Sequence, residues 1–368
     1  MKIIIITIAI IILAIFTGLF VFDHRRTSFE GVSILSTSPV PDPIATKLSS
    51  MTLEEKIGQM LIIGFEHPYV DDHIHNMIKN YNIGGINLLG RNILNEAQTI
   101  KMTSELQALA STTLFLAVDQ EGGAVVRFKF LDELTTQSRT RNTEHAYQIA
   151  GDRAEELRRL GINMNFSPVL DHVTDRDSYL YSRTFATTVV AVAELGNAMI
   201  NGYENSGVIP VAKHFPGYGN VRPDPHKNAV TVDITADELK KFIYPFKSAI
   251  DVAEVEAIMT AHIIIPSIDS KSATISSKFL TDILREELGF DGVIITDDLE
   301  MVSAGNSVQK IAVDSIMAGA DMVISTYTPQ KHIVIFNAIR DDVMKGTLSE
   351  ERIDQSVYRI LKLKEKIR

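Results

Sequence analysis

Four segments of the sequence place ionisable side chains directly after short apolar runs. These segments are 119–123 (DQEGG), 213–214 (KH), 260–262 (TAH) and 296–298 (TDD). Carboxylate, imidazole and ammonium groups that meet in one pocket can carry acid–base and electrostatic catalysis. A single acidic residue after a strand can equally be the cap of the next helix. Four such endings together indicate a catalytic cluster.

The segment 213–226 (KHFPGYGNVRPDPH) is the richest in residues that could do chemistry. Its glycines and prolines exclude a regular helix, so we predict a long loop after a strand. Asp224 and His226 stand two residues apart in it. A carboxylate beside an imidazole orients the ring, stabilises its cationic form and raises its pKa, which makes the two a proton-transfer pair. Taken alone, they are also consistent with two solvated loop residues.

The elements that position these residues alternate between short β-branched runs and longer amphipathic ones. Eight runs are predicted as strands, at 61–65, 85–89, 114–119, 163–169, 209–215, 257–263, 293–297 and 322–326. Their near-continuous apolar character is typical of parallel strands buried on both faces. Helical patterns lie between them, for example at 187–206, 235–251, 276–288 and 309–318, and Thr52 is predicted to cap the first helix.

Eight strands that alternate with helices predict an α/β fold, a (β/α)8 TIM-type barrel in one domain, with the polar endings at its carboxyl-terminal rim. The alternative is a doubly wound open sheet. No G-x-x-x-x-G-K-[ST] motif, and no G-x-G-x-x-G motif after the first strand, supports a nucleotide-binding version of that sheet.

Composition excludes several classes of function. The 368 residues include 36 Lys and Arg against 46 Asp and Glu, a net charge of −10, and no basic face that would suit nucleic acid. Cysteine is absent, which excludes disulfides, thiolate metal sites and a cysteine nucleophile. His73 and His75 imitate a metal-binding H-x-H, but i and i+2 side chains diverge on a helix, so we predict solvated histidines. We predict that His262 is a hydrogen-bonded rim residue, and we expect no metal and no cofactor.

Residues 3–22 form an uncharged apolar stretch of 20 residues, long enough to span a bilayer as a helix. It exceeds the core of a signal peptide, and no A-x-A site ends it, so we predict an uncleaved anchor at 1–22, with a cleaved signal peptide as the alternative. Residues 23–46 are predicted as a polar tether and 47–368 as the catalytic domain. Lys2 and the pair Arg25 and Arg26 give opposing orientation signals.

The loop 213–226 resembles the signature K-H-F-P-G-H-G-[DN]-T-x-x-D-S-H of glycoside hydrolase family 3, in its β-N-acetylglucosaminidase (β-hexosaminidase) branch, with identical spacing. Other blocks match in family order, and the resemblance extends from about residue 53 to 363. The blocks are EKIGQMLIIGF (55–65), GGINLLGRNI (84–93), AVDQEGGAVVRF (117–128), NMNFSPVLD (163–171), SRTF (182–185), MTAHI (259–263), LGFDGVIITDDLEM (288–301) and AGADMVI (318–324).

This resemblance implies a role for each matching residue. Asp297 becomes the nucleophile, His226 the general acid/base and Asp224 its partner. Retention through a covalent glycosyl-enzyme follows, with the two catalytic groups ~5 Å apart. Sugar binding falls to Asp119, Arg127, Arg183, Lys213 and His214. Asp298, the neighbouring candidate nucleophile, is predicted to point away from Asp297 along the strand and to be structural or capping.

Two residues depart from the family signature. Tyr218 stands where the family has a histidine, and it can still hydrogen-bond to a sugar or stack on it. Pro225 replaces a serine, fixes its own φ and restricts Asp224 to extended backbone.

The sequence thus predicts a membrane-anchored, retaining β-N-acetylhexosaminidase that acts on peptidoglycan fragments or chitooligosaccharides, as a monomer with its catalytic domain outside the cytoplasm. One alternative is a catalytically weakened, membrane-anchored sugar-binding or sensor protein. A lesser one is β-glucosidase-type specificity, which is disfavoured because that branch generally takes its acid/base from a second domain.

Overall fold

The computed structural model of the chain describes residues 42–222, 230–301 and 307–367. The predicted membrane span at 3–22 and the residues Asp224, Pro225 and His226 therefore lie outside the described residues. Within the three described ranges, no helix combines the length and the hydropathy needed to cross a membrane.

The described chain begins with a helix that the sequence analysis placed in the tether. Helix α1 covers Pro43–Ser49, and Asp42 caps it by accepting a hydrogen bond from the backbone N–H of Ile44 at 2.9 Å. Proline in the first turn suits a helix start because its missing N–H would have no partner there. The described part of the chain therefore has a helix across the predicted boundary at residue 47.

In the part of the chain that the structure describes, eight parallel strands form one sheet, and all of them overlap the predicted ranges. They are β1 (Leu61–Ile63), β2 (Gly85–Leu88), β3 (Phe115–Val118), β4 (Met164–Asn165), β5 (Ile209–Pro210 and Ala212–Phe215), β6 (Ala257–Thr260), β7 (Val293–Asp298) and β8 (Met322–Ser325).

The pairing order curls this sheet into a barrel. Each strand pairs with its neighbour in sequence, and β8 pairs with β1 in register Leu61 to Val323. The first half of β5 pairs with β4 and its second half with β6. An open doubly wound sheet would instead keep two distant edges, so the barrel prediction holds.

Helices follow the strands and cover the outside of the sheet. After α1 they are α2 (Leu53–Gln59), α3 (Asp72–Tyr81), α4 (Glu96–Leu109), α5 (Thr143–Arg159), α6 (Val189–Asn205), α7 (Ala236–Asp251), α8 (Lys278–Glu287), α9 (Val308–Ala318), α10 (Pro329–Met344) and α11 (Glu350–Lys364). Thr52 caps α2 as predicted, in a capping box with Glu55. The predicted segment 276–288 is helical, but α8 is a π-helix, with Leu288 N–H bonded to the Ile283 carbonyl.

Strands β1 and β8 are neighbours, so the helices α3 and α10 that follow them begin side by side. Here His73 Nε2 lies 3.0 Å from Nδ1 of the buried His332. The prediction that His73 is solvated is therefore wrong, because the adjacent helix covers it. His75 is exposed, as predicted.

The strands are mostly apolar, and polar residues collect at their carboxyl ends and in the loops beyond. Every residue of β1, β2, β3 and β8 is buried. A small sheet of Val230–Thr231, Ile263–Ile265 and Asp269–Ser272 lies after β5 and β6. Short 3-10 turns continue several loops, at Gly90–Asn92, Gln137–Arg139, Tyr181–Arg183, Ala273–Ile275 and Leu299–Met301. The loops beyond the strand ends are therefore rich in short turns.

Candidate active site

A cavity of about 280 Å³ lies at the carboxyl ends of the strands, where barrel enzymes carry their active sites. Its walls come from the carboxyl ends of strands β2 to β8 and from the loops that follow them. The predicted site residues within the described ranges all line it: Asp119, Arg127, Arg183, Lys213, His214 and Asp297. The structure thus brings together residues that are up to 178 positions apart in the sequence (297 − 119 = 178).

The floor of this cavity is an ion-pair network that the sequence analysis did not predict. Lys213 Nζ lies 2.8 Å from Asp119 Oδ1 and 2.6 Å from Glu121 Oε1. Arg183 binds both carboxylate oxygens of Glu121, through Nε at 2.9 Å and NH2 at 2.7 Å. Arg127 approaches the other oxygen of Asp119 at 3.5 Å. Three cations and two carboxylates therefore alternate across the floor.

The charges in this network hold each other ionised. Burial works to raise the pKa of Asp119, but the charges of Lys213 and Arg127 outweigh it and keep that pKa below its ordinary value. Burial works to raise the pKa of Glu121 as well, and Arg183 and Lys213 hold it far below its ordinary value. Burial would lower the pKa of Lys213, and the two carboxylates raise it instead. The site consequently offers fixed charges over the working range of most enzymes.

The double glycine of the DQEGG segment shapes this part of the rim. Gly122 has φ +88°, and a Cβ on it would lie 2.2 Å from the Thr135 carbonyl oxygen. Only glycine fits there. The chain turns sharply at this point, and the backbone N–H of Arg127 bonds back to Gln120 Oε1 at 2.9 Å. Arg127 thereby returns to the side of Asp119.

A second buried carboxylate, Asp171, fixes the start of the loop after β5. Its Oδ2 lies 2.8 Å from His214 Nδ1 and 3.1 Å from the His214 backbone nitrogen. Its Oδ1 accepts the backbone N–H of Tyr218 at 2.7 Å. Asp171 is fully buried, so its oxygens depend on these donors. His214 is therefore held by its backbone and by its ring at once.

Tyr218 does not face the cavity. Its side chain is 1% exposed, its ring packs edge-on against His214, and its hydroxyl accepts the backbone N–H of His262 at 2.9 Å. The expectation that this tyrosine meets a sugar is wrong for that reason. It ties the loop after β5 to the end of β6. Both ring nitrogens of His262 are hydrogen-bonded, to Thr274 Oγ1 and to the Asp298 carbonyl, which confirms its prediction as a satisfied rim residue.

Asp297 and Asp298 end β7 in different environments, although both contact the cavity. Asp297 is partly exposed and accepts the backbone N–H of Asp298 at 2.8 Å. Asp298 is 8% exposed and accepts hydrogen bonds from the Thr326 hydroxyl and, at 2.9 Å, from the Glu300 N–H. Burial, opposed by these bonds and assisted by the charge of Asp297, raises the pKa of Asp298 to about 7. Asp297 is therefore the carboxylate of the two that is open to a substrate.

Glu300, two residues further on, pins the loop after β8. Its Oε1 accepts from the Ser325 hydroxyl and from the backbone of Tyr327 and Thr328 at 2.8–3.0 Å. Its Oε2 accepts from the Thr328 hydroxyl and from Lys331. The loop after β8, which brings Tyr327 to the cavity, is therefore hydrogen-bonded to the turn that directly follows Asp297 and Asp298.

The sequence analysis assigned no role to three carboxylates at this site: Glu121, Asp171 and Glu300. Each lies within a block that matched the family, so the signal that could have found them was the presence of an acidic residue inside a matched motif. The partners of these carboxylates could not be predicted from the sequence, because Glu121 contacts Arg183 and Asp171 contacts His214 only in the folded chain. Among the described ranges, no three His or acidic side chains are arranged as a metal site.

The arrangement can bind a neutral polyhydroxylated ring and attack it. Fixed ammonium, guanidinium and carboxylate groups form charge-assisted hydrogen bonds to hydroxyls, which carry no charge of their own. A carboxylate with an open edge at the same cavity can act as a nucleophile.

Comparison with known proteins agrees with this geometry. Residues 52–363 match the glycosyl hydrolase family 3 N-terminal domain. A β-hexosaminidase of Nitrosomonas eutropha is 36% identical over 299 residues, 77% of this chain and 86% of that protein. β-Hexosaminidase A of Pseudoalteromonas piscicida is 29% identical, and the match covers 86% of this chain but 62% of that one. A solved family 3 β-N-acetylglucosaminidase from Paenibacillus sp. superposes with a TM-score of 0.82 at 35% identity, over 86% of this chain and 63% of that one.

Proposed function

The chain belongs to glycosyl hydrolase family 3, and we propose that it is a retaining β-N-acetylhexosaminidase, which hydrolyses the bond between a terminal β-N-acetylglucosamine and its aglycone. The observation that carries the proposal is the convergence of Asp297 with five sugar-binding candidates on one cavity. The names of the similar β-hexosaminidases support the same reaction.

In the first step, the Asp297 carboxylate attacks the anomeric carbon, and the bond from that carbon to the aglycone oxygen breaks. His226 donates a proton to the departing oxygen, assisted by Asp224. In the second step His226 removes a proton from water, the water oxygen attacks the anomeric carbon, and Asp297 leaves as a carboxylate. Two displacements at one carbon retain the β configuration. The partly exposed edge of Asp297 supports this assignment, whereas both oxygens of Asp298 face donors.

The cavity floor binds the sugar in this proposal. Lys213 and Arg183 are held by Glu121, and Asp119 is held by Lys213 and Arg127, so the remaining hydrogen-bonding capacity of these groups is directed at hydroxyl groups before the substrate arrives. Preorganised charges cost little reorganisation in the transition state, where the ring gains positive character. His214 is oriented for the same purpose by Asp171. Terminal N-acetylglucosamine of peptidoglycan fragments or of chitooligosaccharides presents the required hydroxyls.

We also propose that residues 3–22 anchor the protein in a membrane and that the barrel lies outside the cytoplasm. The length of the uncharged stretch and the missing A-x-A site support this. Protease treatment of intact cells tests it. Removal of the barrel without lysis supports the outward position, and complete protection in cells with a permeable outer envelope overturns it.

Turnover of p-nitrophenyl β-N-acetylglucosaminide by the full chain tests the activity. We expect release of p-nitrophenol, and we expect Asp297→Asn to abolish it while sugar binding stays within a few-fold. Asp291→Asn is the matched control, because Asp291 is exposed just before β7 begins, at the opposite end of the same strand. Binding of N-acetylglucosamine without any turnover by the unaltered chain would indicate the sugar-binding alternative.

A further inference from the structure

One buried carboxamide of the cavity takes no part in the ion-pair network of its floor. Asn87 is the third residue of β2, is 5% exposed, and lines the cavity together with Asp119 and Asp297. The residues around it in the strand are apolar, in the sequence GINLL. Burial of a polar side chain costs free energy unless a partner hydrogen-bonds to it. The partner of Asn87 is therefore the question that the strand raises.

Three other asparagines are also buried in the described part of the chain, namely Asn92, Asn163 and Asn165. Each of them accepts a backbone N–H with its Oδ1 and donates to a backbone carbonyl with its Nδ2, at 2.8–3.0 Å. Asn87 Oδ1, by contrast, is buried and has no hydrogen-bond partner among the described residues. A buried acceptor without a donor costs free energy that a donor on a ligand would recover. Local structure thus accounts for the other three asparagines and not for Asn87.

Asn87 belongs to the wall of the cavity that lies across from Asp297. Its strand β2 is three strands from β7 when counted through β8 and β1, and five strands when counted the other way. Asp119, directly after β3, is four strands from β7 in both directions. In the proposed reaction Asp297 contacts the anomeric carbon, C1, and C4 is the ring carbon opposite C1 in a pyranose. A sugar with C1 at Asp297 therefore directs its 4-hydroxyl towards the wall formed by β2 and β3.

The unpaired polar atoms of the cavity lie on this same wall. Within the described ranges, the residues that line the cavity include two with a buried, unpaired side-chain atom, Asn87 with Oδ1 and Arg127 with Nε. Arg127 lies beside Asp119, at 3.5 Å. A hydroxyl group both donates and accepts, so it can pair with a carboxamide in either orientation of the amide. The wall opposite Asp297 is consequently the part of the cavity that still needs hydrogen bonds from a ligand.

From these observations we propose that Asn87 hydrogen-bonds to the 4-hydroxyl of the terminal sugar and selects the equatorial configuration at C4. An equatorial 4-hydroxyl, as in N-acetylglucosamine, points away from C1 close to the plane of the ring and so towards β2. An axial one, as in N-acetylgalactosamine, leaves that plane and leaves the buried carboxamide unpaired, which is the effective way for a site to reject an analogue. This inference rests on the proposed function and adds a specificity-determining residue to it.

The test measures kcat/KM of the full chain for p-nitrophenyl β-N-acetylglucosaminide and for its 4-deoxy and 6-deoxy analogues. The 4-deoxy ratio is kcat/KM of the parent glycoside divided by that of the 4-deoxy analogue. We expect this ratio to be roughly three- to thirtyfold larger in the unaltered protein than in Asn87→Leu, the range for one hydrogen bond to a buried group. The corresponding 6-deoxy ratio should be the same in both proteins. The preference for the aryl N-acetylglucosaminide over the aryl N-acetylgalactosaminide should narrow in Asn87→Leu.

Asn163→Leu is the matched variant that separates recognition from folding. It makes the same substitution at a carboxamide that the backbone pairs on both sides, just before β4 begins, so Tm should fall while the 4-deoxy ratio stays. Asn87→Leu removes an unpaired group, so its Tm should not fall. Asn87→Ala, whose side chain is too small to clash, should lower the 4-deoxy ratio as well.

Two results would overturn the role of Asn87 while the glycosidase activity stands. One is an equal 4-deoxy ratio in the unaltered protein and in both Asn87 variants, and the other is a change in the 6-deoxy ratio in place of the 4-deoxy ratio. No turnover of the parent glycoside by the unaltered protein overturns the proposed function instead.

Discussion

Replacement of Glu121 by glutamine tests whether the buried network positions the sugar-binding cations. Its carboxylate is 1% exposed and receives Arg183 Nε at 2.9 Å, Arg183 NH2 at 2.7 Å and Lys213 Nζ at 2.6 Å. Glutamine keeps one acceptor oxygen and turns an NH2 group towards one of the two cations. The floor then has one negative charge fewer for the same number of buried cations.

The size of the effect follows from the burial. Removing one partner of a buried ion pair costs about 3–5 kcal/mol, and the retained acceptor places glutamine near the lower limit, at about 3 kcal/mol. At about 2.1 cal/mol/K of unfolding entropy per residue, a domain of somewhat more than 300 residues loses roughly 1.5 °C per kcal/mol, so Tm should fall by roughly 4–5 °C. Since Lys213 and Arg183 lose their common anchor, kcat/KM should fall together with Tm.

Thermal unfolding followed by circular dichroism and turnover of p-nitrophenyl β-N-acetylglucosaminide measure the two effects. Glu350→Gln is the control, because Lys56 keeps Asp354 at 2.7 Å when Glu350 loses its charge, and Glu350 itself is 57% exposed, so that its pair contributes ~1 kcal/mol or less. Glu121→Asp should fall between the two variants, since it keeps the charge but shortens its reach. A Glu121→Gln protein with unchanged Tm and unchanged kcat/KM would refute this account of the cavity floor.

Three other predictions each concern a single residue. Tyr218→Phe leaves the His262 N–H without its acceptor, so the free energy of unfolding should fall by about 1–3 kcal/mol, and urea unfolding without such a loss would contradict the contact. Burial, assisted by the charge of Glu256, raises the pKa of Glu204 to about 7. Folding therefore favours the protonated carboxyl, and the free energy of unfolding should decline as pH rises from about 4.5 to about 7. Glu204→Gln should remove that decline, roughly 1–2 kcal/mol after discounting for partial exposure, in urea titrations at both ends of the range. His226→Ala should slow poor leaving groups far more than aryl glycosides, which need little protonation, and equal losses on both would exclude His226 as the acid.

The barrel could be predicted from the sequence because each strand is an apolar run buried on both faces. Where the prediction overshoots, the regular ladder of a strand gives way to isolated contacts. After Asn165, for example, the Phe166 N–H donates to the Val118 carbonyl and a single bridge joins Val169 to Lys213, while the Asn165 carboxamide binds the backbone of Gln120. The π-helical hydrogen bonding of α8 was not readable, since its apolar spacing resembles that of an α-helix. The helix at Pro43 was hidden by a composition typical of linkers.

The sequence alone could predict those site residues that lie at the carboxyl end of a strand. Four of the predicted site residues lie at the carboxyl ends of strands. They are Asp119, directly after β3, Lys213 and His214 in β5, and Asp297 in β7. Arg183 and Arg127 lie on loops, and only the family resemblance pointed to them. The sequence could not show which charged side chains form ion pairs with each other, because Glu121 and Arg183, for example, are 62 residues apart. The orientation of Tyr218 was also hidden, since it depends on an acceptor from Asp171 and a donor from His262 that come together only in the fold.

The assignment of Asp297 as nucleophile is tested most directly by trapping the glycosyl-enzyme. A 5-fluoro glycosyl fluoride of N-acetylglucosamine forms the intermediate quickly and releases it slowly. Intact-mass spectrometry of the full chain, followed by fragmentation of the peptide that spans β7, locates the label. We predict one sugar per chain, attached to Asp297, and no label on Asp297→Asn. A label on Asp298, or a first-formed α-anomer in proton NMR of the untrapped reaction, would contradict the mechanism.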